Sequence, residues 1–479
     1  MRASISPDLR RRLSATARIA NPAQGCEARR VTEEVIAIDT HPEPESRMLG
    51  RWMSLAMVIG TMIGSGIYLL PTTLAPYGYN LVIAFLVTGF GTMCLAYALA
   101  RLAAEIPGGP FVYVTQAFGE TTAFLTLWSY MVSQWTGVAA TAVAVAGALG
   151  NVFPSVGAGP GLIGVALASI AVLTLVNLRG ARSAGGVQVV STVIKILPLL
   201  AVIVIVALRV GAGHRLESLE PTPIGIGAIT AAGALMLFSL TGFEAAAVAA
   251  NVTRDSERTV PLATIGGTGF TAIVYLLATV STLMILSSAL AAKSTAPFAD
   301  AISPILGPAA GVAVAFMFAV STFGTCGALL LISAEVGRSI AGARDLPPIF
   351  RRTNKIGVPT GSLLIGTLVA ALLVVASSSR GFVALYVFIT LVSTVAALVL
   401  YLVCAAAALK LGLLRRWTVI GIIGVIYSIA MFIGAGLEAT LWGLGLALAG
   451  LPIRAISRWL SGSSREVAAS PAAPPGSSS

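Results

Sequence analysis

Twelve apolar runs, each closed by a short polar loop, divide most of this chain. They lie near 52–76, 81–104, 121–149, 161–178, 187–209, 225–250, 262–288, 309–340, 361–378, 382–409, 417–435 and 438–453. A helix needs roughly 20 apolar residues to cross about 30 Å of hydrocarbon. The runs therefore predict an all-α membrane protein with twelve transmembrane helices. They are continuous and do not alternate with period two, which excludes a β-barrel. Charged residues make up 10% of the 479 and hydrophobic ones 57%. That is too little charge to surface a soluble globule, and too much apolar residue for a disordered chain.

The positive charges orient the runs. With the N-terminus inside, 25 Lys and Arg fall on inner segments, and only Arg209, Arg215, Lys293 and Arg380 fall on outer ones. The positive-inside rule then places both termini in the cytoplasm, as in a multi-pass protein of the cell inner (plasma) membrane. The net charge of +11 is accounted for by topology and implies no nucleic-acid partner. The lipid bilayer is the partner expected. Residues 1–50 read as a cytoplasmic tail, and the first apolar run starts too late for a cleaved signal peptide. Residues 51–455 form the transmembrane domain. Residues 456–479, with Ser470-Pro471-Ala472-Ala473-Pro474-Pro475, read as a disordered tail. Cys26, Cys94, Cys326 and Cys404 are scattered, and His41 and His214 lie in polar segments. They suggest neither a disulfide framework nor a metal site, and no cofactor is expected.

The interruptions carry the most information. The first run contains Gly60-Thr61-Met62-Ile63-Gly64-Ser65-Gly66-Ile67-Tyr68 and ends near Pro71; the sixth contains Phe238-Ser239-Leu240-Thr241-Gly242-Phe243-Glu244. Glycines weaken a helix. Non-helical backbone at mid-depth is tolerated only where protein buries it or it lines a cavity. Two interrupted spans in corresponding halves point to a transporter binding site. Gly60 and Gly64 equally fit a small-residue packing face. Two charges also stay inside the spans, Lys195 and Glu244. Such charges are costly, so each is a candidate functional group. Glu335 and Arg338, three apart at a span end, read as a local ion pair.

Met62-Ile63-Gly64-Ser65-Gly66-Ile67 resembles the unwound first-span motif of the amino acid–polyamine–organocation superfamily of permeases. Phe238 to Glu244, running on to Asn251-Val252-Thr253-Arg254-Asp255-Ser256-Glu257-Arg258-Thr259-Val260-Pro261, resembles its sixth span and following loop. Pro107-Gly108-Gly109-Pro110-Phe111-Val112-Tyr113 resembles its loop after the second span. The resemblance covers roughly residues 50–450 and is nearest to the subgroup of the bacterial arginine/agmatine antiporter. It implies the leucine-transporter fold: five-plus-five inverted repeats over 51–210 and 225–410, broken first and sixth helices, and two extra helices over 416–454.

The resemblance places the substrate between the two breaks. A helix N-terminus attracts anions, so a carboxylate is expected at the backbone N–H groups near Ser65, Gly66 and Ile67, beside Ile63 and Gly64. Carbonyls near Phe238, Ser239 and Thr241, beside Gly242, would take an ammonium. Phe238 and Tyr130 match gate positions; ordinary packing is the other reading of Phe238, and Trp135 reads as packing. Leu329 stands where the antiporter has a stacking tryptophan, and Val138 where it has an asparagine. A leucine makes no cation–π contact, which turns the expectation toward a neutral or mixed amino acid. Sodium-independent relatives carry a fifth-span lysine in place of a sodium ion, and Lys195 matches it. It reads as a proton carrier or as a permanent structural cation. Glu244 reads as a proton relay or as a group that fixes helix geometry.

The function expected is thus secondary active transport: proton-coupled, sodium-independent uptake of an amino acid by alternating access. The alternative is an antiporter exchanging amino acids or polyamines; a substrate-binding receptor is more remote. An enzyme would need a catalytic constellation and a channel a repeated polar filter, and neither stands out. The oligomeric state, with a homodimer as one option, is left open.

Overall fold

The computed structural model describes residues 50–106, 108–180, 184–248 and 253–468. The N-terminal tail with Cys26 and His41, Pro107, Asn251, Val252 and the Ser470–Pro475 stretch lie outside the described residues. The described residues hold helices and no β-strand. In chain order they are α1 (Arg51–Met62), α2 (Ser65–Leu74), α3 (Asn80–Glu105), α4 (Gly109–Phe118), α5 (Glu120–Val152), α6 (Gly159–Leu178), α7 (Ala184–Gly211), α8 (Ile226–Leu240) and α9 (Ala245–Val248). Then follow α10 (Ser256–Ile285), α11 (Ser288–Ala291), α12 (Pro297–Leu306), α13 (Pro308–Gly342), α14 (Thr360–Ala376), α15 (Phe382–Lys410), α16 (Thr418–Gly434), α17 (Leu437–Leu448) and α18 (Gly450–Ala468).

Among the described residues, eight helical stretches are long and apolar enough to cross a bilayer, and the bent pair α1–α2 makes a ninth. The apolar helices α8, α14 and α16 are shorter; α8 is short because a break ends it. Leu86, Val204, Ile426 and Leu441 face outward, as lipid contact requires. Many threonines are buried instead. Thr126, Thr136, Thr141, Thr268 and Thr282 each donate to the carbonyl four residues back, so their hydroxyls cost little in an apolar interior. The buried Gly137–Ala148 stretch of α5 is rich in Ala and Gly, which lets neighbouring backbones approach closely. Its most extensive packing is with α13 and α15.

Two groups of helices emerge. α1, α3, α8 and α10 pack on one another, and α5, α6, α13 and α14 form the second group. α15 touches both, through α3 and α5. Loop contacts sort the helix ends onto two faces. On one, Arg51 pairs with Asp255 at 3.6 Å, Asn354 donates to the Leu178 carbonyl and Lys410 lies over the Phe118 ring. The Lys- and Arg-rich loops share this basic face. On the opposite face, Asn80 donates to Thr222 and Pro223, Asn151 donates to Asp300 and Arg380 pairs with Glu438. Glu335 and Arg338 form the expected local pair at 2.8 Å.

The C-terminal helix differs from expectation. The sequence assigns residues 456–479 to a disordered tail, yet α18 runs through Ala468. A buried charge cluster anchors it. Asp345, 1% exposed, accepts from Arg454 Nε at 2.9 Å and Arg458 Nε at 2.8 Å. Arg454 also donates to Thr121 Oγ1, and Arg458 to Glu120. Removing one partner of a buried pair strands the other charge, at about 3–5 kcal/mol. Asp345→Ala should lower the stability of the purified protein by that order, read as a lower melting temperature. An unchanged melting temperature would mean that the cluster does not hold the helix.

Candidate functional site

The first break falls where Gly64 interrupts the ladder. α1 stops at Met62, Ile63 is extended and Gly64 non-helical, and α2 restarts at Ser65 with no side-chain cap. The two halves bend by 44°. On the upstream half the freed carbonyls are answered: Met62 accepts from Tyr275 Oη at 2.7 Å and Gly60 from Lys195 Nζ at 3.2 Å. On the downstream half the first N–H groups of α2 carry the positive end of the helix dipole with no side-chain cap bonded to them.

The second break faces the first. α8 ends at Leu240, Thr241 is extended and Gly242 takes φ +105°, a left-handed conformation open to glycine. The approach between the breaks is close. A Cβ on Gly66 would fall 2.4 Å from Ser239 Oγ, and one on Gly242 2.9 Å from the Thr61 carbonyl carbon. Thr61 Oγ1 donates to the Gly242 carbonyl at 3.0 Å. Two interrupted helices are thus stitched together, with Ile63, Ser65, Gly66, Ile67, Phe238 and Ser239 all buried.

Each buried charge is bonded across helices. Lys195 on α7 reaches Gly60 of α1 and Thr325 Oγ1 of α13, at 3.3 Å. Its own carbonyl accepts from Tyr68 Oη at 2.6 Å, and the Tyr68 ring stacks on Phe318 at 4.7 Å. Glu244 accepts three hydrogen bonds: from Tyr130 Oη at 3.0 Å, from the Gly242 N–H at 3.0 Å and from Tyr401 Oη at 3.2 Å. This clasp joins the second break to α5 and α15. Among the described residues no three potential metal ligands converge.

Residues 49–432 match the family model described as amino acid permease. The chain belongs to the amino acid permease family. Among its relatives, it is 29% identical to the putative arginine/ornithine antiporter of Bacillus subtilis over 84% of this chain and 95% of that protein. It is 30% identical to the cadaverine/lysine antiporter of Escherichia coli over 67% of this chain and 72% of that protein. It is 28% identical to the putrescine transporter PotE of Escherichia coli over 85% of this chain and 97% of that protein. The permease is an integral membrane transport protein of the amino acid–polyamine–organocation superfamily, as its motifs imply.

The permease brings most of the expected site residues together, with some shifts of role. Phe238 sets its ring edge-on to Tyr386 at 6.4 Å. Its carbonyl, however, already accepts from the Thr241 N–H and Oγ1, so it is not free for an ammonium; the tight turn at the break consumes it. Tyr130 meets Glu244 through its hydroxyl. Leu329 lies in the seam between α13 and α5, against Gly137, and Val138 is fully buried beside Cys326. Trp135 packs edge-on against Trp128. Tyr68, Tyr275, Tyr386, Tyr401 and Thr325 touch this candidate site and are not singled out from the sequence. For the four tyrosines a signal exists: a tyrosine inside an apolar run carries a hydroxyl that needs a partner.

Proposed function

We propose that this permease exchanges one amino acid or amine for another across the membrane, with the substrate held between the two helix breaks. The observation that carries the reading is the uncapped start of α2 facing the turn after α8, buried and between two helix groups. The antiporters among its relatives favour exchange over the proton-coupled uptake expected from the sequence alone. The twelve apolar runs are taken as twelve spans in two inverted five-helix repeats, with the basic face in the cytoplasm.

In this mechanism the group of α1, α3, α8 and α10 rocks against the group of α5, α6, α13 and α14. Tyr130 lies ten positions from the basic-face end of α5 and Tyr401 nine from that of α15, so the Glu244 clasp closes the path toward the basic face. Tyr386 lies four positions from the other end of α15, so Phe238 and Tyr386 close the path toward the opposite face. Lys195 serves as a fixed cation that holds α1 against α13.

Counterflow tests the reading. Purified protein in proteoliposomes loaded with unlabelled amino acids and polyamines should take up labelled amino acid, and empty vesicles should not. Accumulation driven by an imposed proton gradient into empty vesicles would overturn exchange in favour of proton-coupled uptake.

A further inference from the structure

A line of buried groups runs on from the Glu244 clasp through residues that the exchange mechanism leaves unused. Tyr401 Oη on α15 donates to Glu244. Three positions on, on the same face of α15, the Cys404 thiol is hydrogen-bonded to the hydroxyl of Tyr113 on α4. Tyr113 also lies within electrostatic reach of Tyr130 and Glu244. Tyr113, Tyr401 and Cys404 are at most 2% exposed. A buried tyrosine hydroxyl needs a partner, and a thiol is a weak one. The bond therefore suits a contact that is broken and remade.

The setting of α4 gives that bond a consequence. α4 joins the two helix groups along the chain: α3 before it belongs to the first and α5 after it to the second. Both joints are glycines in the left-handed region, Gly109 at φ +78° and Gly119 at φ +87°. A Cβ on either would meet nothing within 4 Å, so these glycines serve backbone conformation and not close packing. A ten-residue helix between two such joints can swing as a unit. Two contacts hold it down on α15: Tyr113 on Cys404, and the Phe118 ring under Lys410 Nζ at 4.8 Å. Cys404 lies six positions from Lys410, the basic-face end of α15, a depth of about 9 Å.

We infer that α4 is a strap over the path toward the basic face, and that Tyr113 is the positioning residue that seats it, so that the Glu244 clasp opens only as Tyr113 leaves Cys404. The inference rests on the exchange reading above and adds the element that moves with the clasp. Releasing the strap brings the Cys404 thiol to water, and reseating it buries the thiol again. The thiol thus reports on the strap without any added probe.

The test uses the full-length protein in proteoliposomes and reads alkylation of each cysteine by N-ethylmaleimide with mass spectrometry. Cys94, buried at mid-length of α3, is the internal control. Tyr113→Phe keeps the ring and removes the hydroxyl. Cys404 should then react about two- to tenfold faster than in the wild type, the worth of one neutral hydrogen bond, with Cys94 unchanged. An unchanged rate at Cys404 would overturn the inference, as would a Cys94 rate that rises with it, since that reports a loosened fold. Labelling needs no transport: absence of counterflow would end the exchange reading and leave Cys404 to decide the strap. A second arm uses counterflow of the amino acid that the wild type exchanges, offered at the face opposite the basic one. Cys404→Ser keeps a hydroxyl for Tyr113 and should stay within about twofold of the wild type. Cys404→Ala should raise KM about two- to tenfold with the maximal rate within about twofold, because fewer molecules hold the basic-face path closed. An Ala variant that matches the Ser variant would overturn the inference.

Discussion

Lys195→Met should abolish exchange, lowering the rate by roughly a hundredfold or more. Methionine keeps much of the volume of the lysine stem but removes the ammonium that reaches Gly60 and Thr325. Hydrogen bonds to a charged group are worth about 1.5–3 kcal/mol each, and each 1.4 kcal/mol is about a factor of ten. Thr325 keeps its bond to the Ser321 carbonyl, but Gly60 loses its partner in an apolar interior. The last turn of α1 then loses this hydrogen-bonded bridge to α13. The measurement is counterflow by the purified variant, with size-exclusion behaviour and melting temperature recorded beside it. A folded Met variant that exchanges at the wild-type rate would remove Lys195 from the mechanism.

Replacing Glu244 should separate geometry from charge. Glu244→Ala deletes the acceptor for three donors at once and should cost about 3–5 kcal/mol, the scale of an orphaned buried network, with exchange lost. Glu244→Gln is the informative partner. Its amide oxygen can face the Gly242 N–H and Tyr401, while its NH2 faces Tyr130, whose hydroxyl can turn to accept. The Gln variant should therefore fold and keep exchange within about tenfold, since the clasp survives without the charge. A Gln variant that folds yet is as inactive as Ala would show that the negative charge itself is used, as in a proton relay.

The sequence marks these places for specific reasons. Gly64 and Gly242 stood out because glycine and small polar residues at mid-depth have few uses in an apolar helix. Both sit at real breaks. Lys195 and Glu244 stood out because charge is scarce in the spans. Phe238 is marked by motif; its ring lies edge-on to Tyr386, and its carbonyl takes the hydrogen bonds of the turn at Thr241. The hydrogen bonds of a turn depend on how the chain folds back, not on which residues it contains. The helix that continues past residue 456 is hidden in the sequence for a similar reason. Arg454 and Arg458 look like ordinary charges after a span until Asp345, more than a hundred positions earlier, meets both.

The class of the protein, the positions of its breaks and the two charges inside its spans are legible in the residues alone. Each follows from the bilayer as solvent, which penalises polar groups one residue at a time. Only the tertiary structure decided partners: Tyr401 for Glu244, 157 positions away, and Thr325 for Lys195, 130 positions away. In a soluble helix an apolar stripe shows which side faces the core. Here lipid and protein interior are both apolar, so the rotation of each helix about its axis leaves little trace in composition, and only the packed bundle reveals which hydroxyl turns toward which charge.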